Sequence, residues 1–182
     1  MSKQRDFIDD DLAEWLRQQH MFFVATAPQS NDGHLNCSPK GGDSFRILGP
    51  MEVAYQDYTG SGAETVAHLR ENGRIVLMFC AFEGKPEIAR LHGQGEVILP
   101  GESAYDGIAK YFPSNPGTRA FVRVSVTRIS TSCGFAVPRM DFRENRETLD
   151  KWALSKGEQG LKDYRAQKNV RSVDGLPAFD SE

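Results

Sequence analysis

Between Arg74 and Ser130 the chain spells out three long strand-like segments, and these restrict the fold more than any other feature. Arg74 to Phe82 is the most hydrophobic stretch of the sequence and reads as a central strand. Glu83-Gly84-Lys85-Pro86 turns the chain back, glycine and proline together favouring a reversal. Glu87 to Leu99 then runs as a long strand interrupted by Gly93 and Gly95. Glycines inside a strand mark a bulge or sharp bend, as where a sheet curls into a barrel. After a short helix predicted over Ser103 to Phe112, Arg119 to Ser130 alternates apolar and polar residues, with Phe121, Val122, Val124, Val126 and Ile129 as the apolar set. That period of two defines the last long strand.

The preceding residues supply more strands. Met21 to Ala27 is rich in Phe and Val, Pro28 to Gly33 is a turn, and Leu35 to Ser38 returns. Phe45 to Leu48 and Met51 to Tyr55 flank a turn at Gly49-Pro50. Ile8, Leu12, Trp15 and Leu16 recur at helical spacing from Ile8 to Gln19, with acids in the first turn where the helix dipole favours them. Glu64 to Glu71 forms a short helix closed by Asn72-Gly73. Six to seven strands with short helices at their connections predict a mainly β, antiparallel barrel rather than a parallel α/β sheet. With 182 residues there is room for one full core. The expected division is a barrel domain over 1–140 and a helical C-terminal extension over 141–182, packed on the barrel or on a partner subunit. In that extension Glu144 to Lys156 and Glu158 to Lys168 read as two helices separated by Gly157, and Val170 to Phe179 as an extended end.

Several functions are disfavoured. A net charge of −3 provides no broad basic surface for nucleic acid or anionic membrane. No apolar run approaches the ~20 residues that span a bilayer, and the polar start of the chain does not resemble a signal peptide. Cys37, Cys80 and Cys133 are widely spaced and odd in number, which predicts free thiols and a cytoplasmic location. The four histidines, His20, His34, His68 and His92, lack metal-ligand spacing, so no metal site is expected. No side-chain set for nucleophilic catalysis is visible either.

Two glycine-rich turns stand out. In Ser38-Pro39-Lys40-Gly41-Gly42, Pro39 stiffens the turn, Lys40 supplies a cation and the glycines leave room for a ligand. In Thr59-Gly60-Ser61-Gly62-Ala63-Glu64-Thr65, small hydroxyls and glycines run straight from a strand into a helix. Backbone amides at such a helix start, with a lysine nearby, suit a phosphate. Two bland readings stand beside this one. Ser61-x-x-Glu64 spells a capping box that needs no ligand, and a lysine in a turn is commonly just solvated.

Together these motifs, N-C-S-P-K-G-G, V-A-Y-Q-D-Y-T-G-S-G, A-H-L-R-E-N-G-R-I-V-L-M-F and R-L-H-G-Q-G-E, resemble those of the pyridoxamine 5′-phosphate oxidase-related family from about Met21 to Ile129. The resemblance implies an FMN-binding split β-barrel of Greek-key character, a homodimer with its cofactor at the subunit interface, and an FMN-dependent oxidoreductase acting on a small-molecule substrate or electron donor. It also implies that Lys40 lies near the flavin, that Tyr55 and Gln56 sit on the strand beside it, and that Ser61 to Thr65 grip the phosphate. The expected cofactor-binding residues are therefore Ser38, Lys40, Gly41, Tyr55, Gln56, Thr59, Ser61, Gly62 and Thr65, with the catalytic residues unassigned. Departures are evident: Glu64-Thr65 replaces an Arg-Lys pair, Asn115 stands where arginine is expected, and the terminal Arg-x-His motif is missing. The chain is thus not a true pyridoxamine phosphate oxidase. The alternatives are a flavin carrier or sensor without turnover, or a haem-binding split barrel using His92.

Overall fold

The computed structural model describes residues 3–180. Eight strands form one antiparallel sheet: β1 (Lys3–Arg5), β2 (Met21–Thr26), β3 (Asn36–Gly41), β4 (Phe45–Gly49), β5 (Glu52–Tyr58), β6 (Arg74–Cys80), β7 (Glu87–Ile98) and β8 (Thr118–Cys133). Their order is β3-β2-β6-β7-β8-β5-β4, with β1 paired to the far end of β8. β3 and β4 lie at opposite edges of that order, yet only Gly42, Asp43 and Ser44 join them. Such a link spans at most about 14 Å, so the sheet curls until its edges approach. The ladder does not continue from β3 to β4, and the barrel is split at that seam.

Curvature comes from where the glycines fall. Between β7 and β8 the register slips after His92, leaving Thr127 unpaired in a bulge. A Cβ on Gly93 would land on the Ser125 carbonyl, so only glycine fits this crossing. Residues alternating along the strands fill the interior: Phe22, Val24, Val53, Tyr55, Leu77, Phe79, Leu91, Val122, Val124 and Ile129. Helix α1 (Asp10–Arg17), capped by the Asp9 carboxylate on the Leu12 amide, adds Leu12 and Leu16 to this core. Burying each contributes roughly 1.5–3 kcal/mol.

Three other helices lie outside the sheet. Helix α2 (Glu64–Asn72) packs on β7, where Gly95 leaves space for Leu69, and ends at Gly73 in the left-handed conformation that the sequence predicts there. Helix α3 (Tyr105–Ala109) covers a smaller cluster with Phe112 and Phe121. Helix α4 (Thr148–Lys168) is two arms meeting at Gly157, whose φ of 63° and ψ of 177° break the helix. The end of the chain is not extended as expected. Gly175, at φ 78°, lets it fold back so that Arg171 bridges Pro177. Ala178 then packs with Ala63, Val66 and Ala67 at the start of α2. No described helix is long and apolar enough to cross a membrane.

Candidate functional site

Closure of the barrel brings β3 against the end of β5. On β3, Asn36, Ser38 and Lys40 share a half-buried face, while Cys37, Pro39 and Gly41 are exposed. Pro39 therefore sits within an edge strand and not in a turn; at a sheet edge its missing N–H costs no ladder bond. The turn itself begins at Gly42, with φ 69°. Lys40 Nζ donates to Asp57 Oδ1 at 2.8 Å, and Arg119 Nε donates to Asp57 Oδ2 at 2.7 Å. The Asp57 carboxylate is buried, so its isolation from water pushes its pKa up. The two cations and their hydrogen bonds outweigh that and hold it at about 2. Two positive groups share one carboxylate, which leaves the cluster with a positive excess.

From this cluster the network reaches the loop before α2. Arg119 Nη1 donates to the Gly60 carbonyl at 3.3 Å, so Lys40 and the glycine-rich loop lie on the same side of the molecule, two residues apart in the network. Asn36 Nδ2 donates to Thr65 Oγ1 at 2.9 Å and, more weakly, to Ser38 Oγ at 3.4 Å. Each hydroxyl that accepts from Asn36 keeps its own proton to donate elsewhere. Among the described residues, the amides of Gly60, Ser61 and Gly62 donate to no protein acceptor, and Ser61 and Gly62 are exposed.

The remaining expected residues go elsewhere. Tyr55 is fully buried in the core with its hydroxyl unpartnered, and burial pushes that phenol's pKa well up; Lys40 Nζ lies 5.8 Å from its ring centre. Gln56 faces the opposite side of the sheet, donating to the Pro113 carbonyl and to Thr118 Oγ1. Thr59 is buried, its hydroxyl accepting from Arg165 Nε at 2.9 Å. Gly41 ends β3, exposed. The capping box is not formed. Ala63 is the N-cap residue without a side-chain bond, and Glu64 instead accepts from the Val173 amide at 3.2 Å. His92 is half-buried on β7, where burial and then Arg128 and Arg90 push its pKa down.

Sequence reading alone passes over Asn36, Asp57, Arg119, Arg165 and Asn169. A charge inside an otherwise apolar strand is the available signal for Asp57 and Arg119. Arg165 and Asn169 give none, since a charged helix and its end look like a solvated face.

An antiparallel sheet whose edge strands are joined by a three-residue link, with α2 packed outside it, defines the split β-barrel class. The sequence profile described as pyridoxamine 5′-phosphate oxidase matches residues 8–133, and the chain belongs to that family. A relative from Aspergillus flavus, the pyridoxamine 5′-phosphate oxidase family protein ustO, is 41% identical over 96% of this chain and 76% of its own length. Among solved structures, HupZ of Group A Streptococcus superposes with a TM-score of 0.53 at 23% identity, over 67% of this chain and 91% of that one. A putative pyridoxamine 5′-phosphate oxidase from Lactobacillus delbrueckii gives 0.51 at 17%, over 70% and 98%. A FAD-binding protein from Mesorhizobium loti gives 0.50 at 12%, over 72% and 96%. These structures share the fold.

Proposed function

We propose that the protein binds FMN and works as an FMN-dependent oxidoreductase, as a homodimer holding the cofactor at its subunit interface. The observation supporting this reading is that several unlike anion donors lie on β3 and on the loop before α2. The Lys40–Asp57–Arg119 cluster has a positive excess, the Ser38 and Thr65 hydroxyls keep protons to donate, and the Ser61 and Gly62 amides are unengaged. This donor set fits a phosphate monoester, which asks for several N–H and O–H donors around a negative charge. Family membership, and a fold shared with a FAD-binding protein, favour a flavin over other phosphate esters. One oxygen of Glu64 accepts from the Val173 amide while the other stays beside Gly62, so the donors above must outweigh its repulsion of a phosphate.

When bound, the flavin supplies the redox chemistry. The chain's part is to fix the phosphate, orient the ring and shield it from water. Nothing in that role requires an acid or base side chain from this protein.

An absorbance spectrum of the purified protein and a fluorescence titration with FMN test the assignment. Lys40→Ala and Gly62→Asp should both weaken FMN binding. The second should do so more, because its carboxylate adds a charge beside Glu64, whose Oε2 would lie 2.7 Å from the new Cβ. Unchanged affinity in both variants refutes the site. A yellow protein that bleaches anaerobically with NAD(P)H is the expected enzyme. One that resists every reductant is a carrier or sensor, and a Soret band would replace flavin with haem.

A further inference from the structure

The segment after the family-matched region ends at the very loop assigned to the phosphate. Asn169 follows α4 and is fully buried. Its backbone is fixed at both ends, the amide donating to the Arg165 carbonyl and the carbonyl accepting from the Phe179 amide. Its side-chain oxygen accepts from Arg119 Nη1 at 2.9 Å. Arginine can only donate, so this contact settles which end of the Asn169 amide is which. The nitrogen end must face the loop, where it donates to the Gly60 carbonyl at 2.8 Å and lies 3.5 Å from that of Ser61.

That contact has a directional consequence. Among the described residues no peptide bond is cis, and in a trans peptide the C=O of one residue and the N–H of the next point opposite ways. Turning the Gly60 and Ser61 carbonyls toward Asn169 therefore turns the Ser61 and Gly62 amides away from it together, toward the exposed side of the loop. Two consecutive amides aimed alike make an anion-binding concavity. The same segment also takes up one oxygen of the Glu64 carboxylate through the Val173 amide, the other staying beside Gly62, and Arg165 donates to the Thr59 hydroxyl.

We propose that Asn169 is a positioning residue for phosphate recognition, setting the peptide planes of Gly60-Ser61-Gly62 so that two amides face the phosphate of the flavin nucleotide. The inference rests on the flavin reading above. It places part of the cofactor's specificity in a segment outside the family-matched residues 8–133.

Riboflavin, which lacks the phosphate, separates this role from a general structural one. Asn169→Asp keeps the shape and the Arg119 contact but faces the loop carbonyls with an acceptor. It should weaken FMN binding by about tenfold or more, the loss expected when hydrogen bonds to a charged group go, and leave riboflavin binding within about twofold. Asn169→Ala, read in the same way, covers the case in which the first variant does not fold. Hydrogen exchange on the unmodified protein needs no variant: FMN should slow exchange at the Ser61 and Gly62 amides, and riboflavin should not. FMN affinity unchanged in a folded variant, an equal loss for both flavins, or unprotected amides would overturn the role of Asn169 and leave the flavin site standing. A protein that binds neither flavin would overturn both.

Discussion

Asp57→Asn removes one charge and almost no shape. In the native protein the Asp57 side chain is 1% exposed and bridges Lys40, 18% exposed, to Arg119, 5% exposed. Burial raises its pKa, yet the two cations bring it from 3.8 down to about 2. A folded pKa below the unfolded one means that the ionised form stabilises the fold above about pH 3.8, and that this contribution is lost as pH falls through about 2. At about 1.4 kcal/mol per pKa unit, a drop of roughly two units is worth about 2–3 kcal/mol. Asparagine resembles the neutral acid, so this figure is a floor. Leaving a buried cation unpaired raises the cost to about 3–5 kcal/mol. The expected loss near neutral pH is therefore about 2–5 kcal/mol, read as a fall of about 1–2 M in the urea midpoint. Near pH 2 the two proteins should converge, because the wild-type carboxylate is by then losing its charge. A neutral-pH loss under about 0.5 kcal/mol, or a loss equal at both pH values, would refute the claim that this carboxylate ties the two cations.

Other perturbations test other parts of the structure. Gly93→Ala should cost roughly 1–3 kcal/mol in chemical denaturation, because its Cβ meets backbone that cannot swing aside; a neutral result would mean that β7 and β8 do not cross as described. His34 Nδ1 pairs with Asp174 at 2.6 Å, a bond that raises the His34 pKa and lowers that of Asp174. The pair favours the folded end of the chain below the ordinary histidine value and releases it as pH rises through the raised one. An NMR titration should therefore show His34 titrating above a free histidine, and falling back in Asp174→Asn.

Much of the barrel is legible in the sequence because strand periodicity is a local property. β6, β7 and β8 follow from apolar runs and from Gly93, whose bulge falls where the sequence expects a bend. β1 escapes such a reading: Lys3, Gln4 and Arg5 carry no apolar pattern, and only pairing with Ser130 and its neighbours makes them a strand. Pro39 and Gly41 read as a turn because their usual meaning is punctuation, whereas a sheet edge tolerates both. At the site, Ser38, Lys40 and Thr65 are readable as donors beside glycines. Their partners are not, because Asp57, Arg119 and Asn169 acquire their roles through contacts between residues 17 to 109 positions apart. Glu64 illustrates the same limit. Its local pattern spells a capping box, but an amide 109 residues later takes the carboxylate.

The order in which the chain is synthesised gives this arrangement a consequence in time. β8 ends at Cys133, so every strand needed for the barrel has been made before Asn169 exists. The 36 residues from 134 through 169 take about 2–7 s at ordinary rates of translation. That interval separates the synthesis of the strands from the completion of the loop: until Asn169 is made, the Gly60 and Ser61 carbonyls have no side-chain amide behind them.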